Sequence, residues 1–103
     1  VQLLQQMGRD KEALGQLTEL AYAHPRDSRI YAMQAQSYSA LGRQLLRHRA
    51  QAEAYYLQGA TPSAIEQLQL AQRAGDGDFY ELSSVEARLR ELRANLAAES
   101  KRR

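Results

Sequence analysis

Apolar residues recur along this chain at alternating intervals of three and four, the spacing that lays one stripe along a helix. Residues 10–23 carry Ala13, Leu14, Leu17, Leu20 and Ala21 in that pattern, with Asp10 placed to cap the start. A second helix is predicted from Asp27 or Ser28 to about Leu41. Tyr31, Ala35, Tyr38 and Gly42 run along one edge of it, and Arg29, Ala32, Gln36 and Ser39 along another. The third, over about 44–58, has Leu46, Ala50, Ala54 and Leu57, with the adjacent Tyr55 and Tyr56 near its end. Thr61-Pro62 reads as a hydroxyl cap followed by proline at the first helical position, opening a fourth helix whose inner face is Ile65, Leu68, Ala71 and Ala74. The last helix starts at Asp78, with Glu81 completing a capping box, or renews itself at Ser83 with Glu86 in that role. Leu82, Val85, Leu89, Leu92 and Leu96 give it a narrow apolar seam, suited to capping the array or binding a partner. No segment alternates with period two, so the fold class is all-α.

The breaks between these helices are evenly spaced. Gly8, Pro25, Gly42, Gly59 and the Gly75-Asp76-Gly77 cluster lie 17 residues apart. Glycine closes a helix in the left-handed conformation and proline cannot continue one. Two intervals make a 34-residue helical hairpin, and the 103 residues hold about three. The expectation is a single domain, a right-handed solenoid of antiparallel hairpins with a C-terminal capping helix. Residues 1–25 form a partial first repeat, 28–58 the second hairpin, 61–97 the third with the last helix, and 98–103 a tail. The opening VQLLQQMG, with Val1, Leu3, Leu4 and Met7, reads as the end of a helix lacking its start and its upstream neighbour, which predicts weak self-association through residues 1–20.

Detail within the repeats carries a resemblance. Gly8 is followed by Ala13, Leu17, Leu20 and Pro25, and Gly59 by Ala64, Leu68 and Ala71, while Tyr31, Ala35 and Tyr38 precede Gly42. With the 34-residue period this resembles a tetratricopeptide repeat. Arg47 departs from it, standing where the pattern has alanine; the helix at 44–58 is expected to close one hairpin and open the next. Read whole, HPRDSRIYAMQAQSYSALGR, then AEAYYLQG, then SAIEQLQLAQRAGDGDFYELSSVEARLRELR is similar to the C-terminal repeat domain of BepA-type (YfgC-like) periplasmic zinc metallopeptidases. The resemblance implies a periplasmic location, a hydrolase parent with a HExxH zinc site in a separate protease domain, and a chaperone-like role in outer-membrane protein assembly. Partners would be outer-membrane protein substrates and their assembly machinery, or the parent's own protease domain. A generic tetratricopeptide scaffold or co-chaperone module, unconnected with proteolysis, would show the same period.

Candidate chemistry within the chain is sparse. A zinc protease needs two histidines one turn apart beside a glutamate. His24 and His48 stand 24 residues apart with no HExxH around either. His24 falls at a helix C-terminus and His48 among arginines, on the surface or between helices. The acids of GDGD would repel an anion, and Ser37, Ser39, Ser63, Ser83 and Ser84 lack a credible base, so they read as helix-face and capping hydroxyls. The chain is therefore not expected to be an enzyme, to bind metal or to need a cofactor; zinc belongs to the protease domain that the resemblance implies. There is no cysteine, which leaves the compartment open. Net charge is +2, with a pI near 9.2 owing much to arginines near the end, and basic and aromatic residues are not interleaved. Nucleic acid is not an expected partner, and no apolar run suits membrane insertion. Arg88 with Glu91, and Glu86 with Arg90, read as pairs on a solvated face.

What remains is recognition by shape, in a concave groove lined by successive first helices. If the tyrosine edge of the second helix faces inward, its groove edge is Arg29, Ala32, Gln36 and Ser39. On the third helix Arg49, Glu53 and Tyr56 share a face. These seven are the candidate protein-binding residues.

Overall fold

The computed structural model describes residues 1–101, and among them every regular element is an α-helix. In chain order these are α1 (Gln2–Gln6), α2 (Asp10–Ala23), α3 (Ser28–Ala40), α4 (Gln44–Leu57), α5 (Thr61–Arg73) and α6 (Phe79–Lys101). Each helix packs against the next, and α4 also reaches α6. The result is a slab of 46 × 28 × 18 Å.

Three of the predicted breaks share one hydrogen-bond pattern. At Gly8, Gly42 and Gly59 the glycine has φ of 73, 71 and 82°. The next residue donates back to the carbonyl five positions earlier, as in Arg43 N to Tyr38 O at 2.9 Å and Ala60 N to Tyr55 O at 2.9 Å. These left-handed closures satisfy carbonyls that a helix end would orphan, and any side chain there would be strained. At Pro25 the chain instead leaves α2 through the exposed His24 at its C-terminal cap, and Asp27 then caps α3 by accepting from Arg29 N at 3.0 Å.

Two predicted caps are displaced. Asp10 is the first helical residue of α2 rather than its cap, which is Arg9, and it is nearly buried. Thr61 likewise lies inside α5, with Ala60 at the cap and Pro62 within the first turn. Its hydroxyl is buried and donates to Glu99 Oε1 of α6 at 3.4 Å, so it serves packing between helices. The box at the start of α6 forms as the spacing predicts: Glu81 N donates to Asp78 Oδ1 at 2.8 Å, and Asp78 N to Glu81 Oε1 at 3.0 Å. The helix then runs unbroken through Ser83 and takes in 98–101, which the sequence pattern leaves as tail. Residues 102 and 103 of that tail lie outside the described residues.

The core follows the stripes, with α4 at its centre. Leu45, Leu46, Ala52, Ala64, Leu68, Ala71, Val85, Leu89 and Leu92 form one buried cluster, and Tyr38, Tyr55, Tyr56, Ile65 and Ala74 pack against it. Helix α4 buries Leu45, Leu46, Ala50, Ala52 and Ala54, more than one stripe, because α3, α5 and α6 surround it. Tyr55 and Tyr56 project about 100° apart, yet both reach the cluster and are half-buried. The apolar stripes run out at their ends: Leu20 on α2 and Leu82 on α6 are exposed, as are Leu3 and Met7 at the start of the chain.

The α5–α6 loop is tied to α4 rather than being a simple stop. Asp76 accepts from Gln44 N at 2.5 Å and from Leu45 N at 2.9 Å, supplying from 31 residues away the cap that α4's own N-cap, Arg43, does not give. Gly77 then presses so closely on Leu45 that a methyl added to it would overlap Leu45 Cδ1 and lie 3.2 Å from its Cγ. Arg43 and Glu81 pair at 3.2 Å beside this contact.

Candidate functional site

The seven candidate residues fall on two separate parts of the surface. On α4, Arg49, Glu53 and Tyr56 share a face as their i, i+4, i+7 spacing requires, and that face looks onto α6. Arg88 of α6 donates to both Glu53 carboxylate oxygens, from Nε at 2.7 Å and from a terminal nitrogen at 2.9 Å. Its guanidinium also lies 5.0 Å from the centre of the Tyr56 ring, within cation–π range. Asn95 Nδ2 donates to the Tyr56 hydroxyl at 2.9 Å, and Arg49 donates to Ser84 Oγ at 3.3 Å.

Arg88 is thus not on a solvated face. Its pairing with Glu91 exists, but so does the stronger bidentate bond to Glu53 across helices, and both members of that pair are about three-quarters buried. The hydrogen bonds that Arg88 donates to Glu53 raise the guanidinium's pKa above its ordinary value, outweighing burial. A fixed fork on a carboxylate orients α6 on α4 more than it adds stability, because partly buried pairs give back much of their attraction in desolvation. Glu86 and Arg90, the other predicted pair, are both exposed and not within ion-pair distance of one another. Between α4 and α6 a cleft of about 380 Å³ remains open, lined by Arg49, Glu53, Ser84, Ala87, Arg88 and Glu91.

On α3, Arg29, Ala32, Gln36 and Ser39 are all exposed along one edge. That edge faces α1. Arg29 and Ala32 line a cleft of about 740 Å³ with Val1, Leu3, Leu20 and Met33, and Gln36 lines a smaller one with Gln2, Gln5 and Gln6. Gln5 bridges the two helices, its Nε2 donating to Met33 O and to the buried Ser37 Oγ, both at 2.9 Å. Arg29 is held by Asp27, and the hydrogen bonds from Arg29 keep that carboxyl below its usual range. The α3 quartet and the α4 trio therefore face different neighbours, α1 and α6.

A further cleft, of about 330 Å³, lies between α2 and α3 and contains none of the seven. Thr18, Ala21, Tyr22, Pro25, Tyr31 and Gln34 line it. The Tyr31 hydroxyl donates to Pro25 O at 3.4 Å. Burial raises the Tyr31 pKa, and so does the charge on Glu53, while Arg88 opposes them.

The sequence reading missed Asn95 and set Arg88 with Glu91 on a solvated face, without its bond to Glu53. Arg88 sits three residues after Val85 and four before Leu92, on the edge of the seam, and a charge at such a position marks a partner on the facing helix. His48 Nδ1 meets Gln67 Oε1 of α5 at 2.8 Å, the inter-helix alternative of its two expected placements. No group of three or more metal-ligating side chains occurs among the described residues, and no helix among them is long and apolar enough to cross a membrane. Compared with known proteins, the chain matches no family model, no curated protein and no solved structure.

Proposed function

We propose that this chain is a tetratricopeptide-type solenoid, a non-catalytic domain that binds other proteins, and that it serves a periplasmic zinc metallopeptidase of the BepA type. The observation that carries the repeat reading is the regular left-handed closure: the same backbone pattern at Gly8, Gly42 and Gly59, separated by 34 and then 17 residues. Matching closures at Gly8 and Gly42, one 34-residue interval apart, and again half an interval on at Gly59, joining helices that pack in chain order, fit stacked hairpins. The link to a metallopeptidase rests solely on the resemblance read from the segments 24–43, 52–59 and 63–93. Under this reading the domain captures outer-membrane protein substrates or their assembly partners, and zinc sits in a protease domain on the same polypeptide.

Binding is assigned to polar, partly exposed side chains on the two faces, Arg29, Ala32, Gln36 and Ser39 on one, and Arg49, Glu53 and Tyr56 on the other. Because α6 already uses the Tyr56 hydroxyl and both carboxylate oxygens of Glu53, contact on that side falls first to Arg49. Photo-crosslinking from position 36 and from position 49 of the full-length protein in the periplasm tests the reading. Adducts with outer-membrane proteins or their assembly machinery support it. Adducts confined to the parent's own protease domain would instead make the array a regulator of access to its zinc. A full-length sequence without HExxH would leave a scaffold or co-chaperone module, and no protein adduct from either position would refute protein binding at these faces.

A further inference from the structure

We propose that the edge of α3 facing α1 holds an extended protein segment through an acidic side chain at Arg26, an apolar side chain at Leu20 and Met33, and the segment's main chain at Gln2, Gln6 and Gln36. The proposal rests on the protein-binding reading above and specifies the ligand of this one face.

Three clefts along this edge join into one groove. The turn that opens α3, from His24 to Arg29, lines a cleft of about 660 Å³. His24, Asp27 and Arg29 also line the neighbouring cleft of about 740 Å³, and Gln2 lines both that one and the glutamine cleft of about 250 Å³. Between Arg29 and Gln36 the groove follows two turns of α3, about 10 Å of helix axis at about 1.5 Å per residue. About three residues of extended chain, at about 3.3 Å each, run that length. Arg29 and Met33 stand one turn apart, about 6 Å, which matches the two-residue repeat of side chains on one face of an extended chain. The acidic residue of the ligand is therefore two positions from the apolar one.

Each part of the groove sets one property of its occupant. At the turn Asp27 is the only acid in the lining among the described residues, and Arg29 donates to both of its carboxylate oxygens. Arg26 lines the same cleft and has no carboxylate within ion-pair distance among those residues, so this end is complemented by a carboxylate and opposes a lysine. In the middle, exposed Leu3 and Leu20 adjoin half-buried Met33, apolar area that a ligand side chain would remove from water. At the far end the lining is glutamine throughout: Gln2, Gln5, Gln6 and Gln36. A carboxamide carries donors and an acceptor, the complement of a peptide C=O and N–H. Gln5 makes half of that pairing inside the chain, donating to Met33 O at 2.9 Å. Gln2, Gln6 and Gln36 are exposed and make no side-chain hydrogen bond among the described residues. Their amides are free for a main chain of any sequence.

Anisotropy titrations with fluorescein-labelled nine-residue peptides test this. Each peptide carries one phenylalanine in a Gly/Ser background and, two positions before or after it, a glutamate, glutamine or lysine. The wild-type chain is expected to bind the glutamate peptide about threefold tighter than the glutamine one in the better order, and lysine weakest, the scale of an exposed ion pair. Arg26→Gln should erase that preference. N-methylation of a main-chain nitrogen one to three residues beyond the phenylalanine, on the side away from the glutamate, should weaken binding about tenfold through the lost hydrogen bond. That penalty should shrink in Gln2→Ala/Gln6→Ala/Gln36→Ala, all at exposed positions, while the glutamate preference stays. Equal binding of the three peptides, a preference that survives Arg26→Gln, a methylation penalty that is absent or untouched by the glutamine substitutions, or no binding up to millimolar concentration overturns the inference. In the last case a dimer in sedimentation that Gln36→Lys dissociates would give the groove to a second copy. Crosslinks to outer-membrane proteins from position 36 or 49 would persist if only this inference fails, and be absent from both if the protein-binding reading fails with it.

Discussion

Replacing Gly77 with alanine probes how tightly the α5–α6 loop is docked. The added methyl would overlap Leu45 Cδ1 and stand 3.2 Å from Cγ and 3.4 Å from Cβ. Carbon atoms prefer about 3.5–4.0 Å, so Leu45 or the loop has to move. Leu45 is 2% exposed and belongs to the main cluster, so its side chain cannot swing into solvent. Moving the loop instead would stretch the two bonds by which Asp76 caps α4. Overpacking of this kind costs about 1–3 kcal/mol, which for a domain of this size is a fall in Tm of roughly 4–8 °C per kcal/mol. The decisive comparison is with Leu45→Val, which deletes the clashing Cδ atoms and on its own costs about 1 kcal/mol for the lost methylene. In that background Gly77→Ala should cost less than half of what it costs in the wild type, measured by urea unfolding of the four proteins. Equal costs in both backgrounds, or a harmless Gly77→Ala, would refute the contact.

Four further outcomes are expected elsewhere in the molecule and at the same loop. Asp76→Ala should lower stability by about 1 kcal/mol, the loss of a helix cap, and Asp76→Asn by less because an acceptor remains; thermal melts of the three proteins check this. Backbone hydrogen bonds from Leu45 and Gln44 hold the Asp76 carboxyl below its ordinary 3.8. Its contribution is therefore complete above that value and lost as pH falls through the lower folded one, so the difference between wild type and Asp76→Asn should close in acid below pH 4, where urea titrations at successive pH values will show it. Glu53→Gln should leave Arg88 with Glu91 as its only carboxylate partner, costing about 1–2 kcal/mol, between the values for exposed and buried pairs; a melt unchanged in low salt would contradict the orienting role given to the Glu53 pair. Leu3 and Met7 are 67% and 57% exposed on a five-residue helix held by Gln5, so weak self-association through residues 1–20 should appear in sedimentation at high concentration and decline in Leu3→Ser/Met7→Ser.

Helix positions were legible because stripes and stop signals are local. Ala13, Leu17, Ala35, Leu46, Leu68, Val85 and Leu89 were assigned to inner faces by spacing, and all are buried. Caps were less so, since Thr61 and Asp10 fit a cap in sequence but tertiary packing draws them one residue into their helices. Tertiary caps were invisible: nothing around Asp76 signals that its carboxylate will serve Gln44 and Leu45. The candidate groove was half legible for a related reason. Periodicity placed Arg49, Glu53 and Tyr56 on one face, but which helix covers a face depends on how neighbours rotate about one another. That rotation is set here by Arg88 and Asn95, 35 and 39 residues downstream of their partners.

At the centre of the proposed function is the binding of protein segments on the helical faces of this chain. The most direct measurement is a ¹H–¹⁵N spectrum of the chain titrated with an unfolded outer-membrane β-barrel protein held soluble in dilute urea. The account predicts saturable shifts confined to the Arg49–Glu53–Tyr56 face, to the Arg29–Ala32–Gln36–Ser39 edge, or to both, with core amides such as Leu68 and Leu92 unmoved. Shifts scattered over the whole surface, or none at a threefold excess of the added protein, would contradict it.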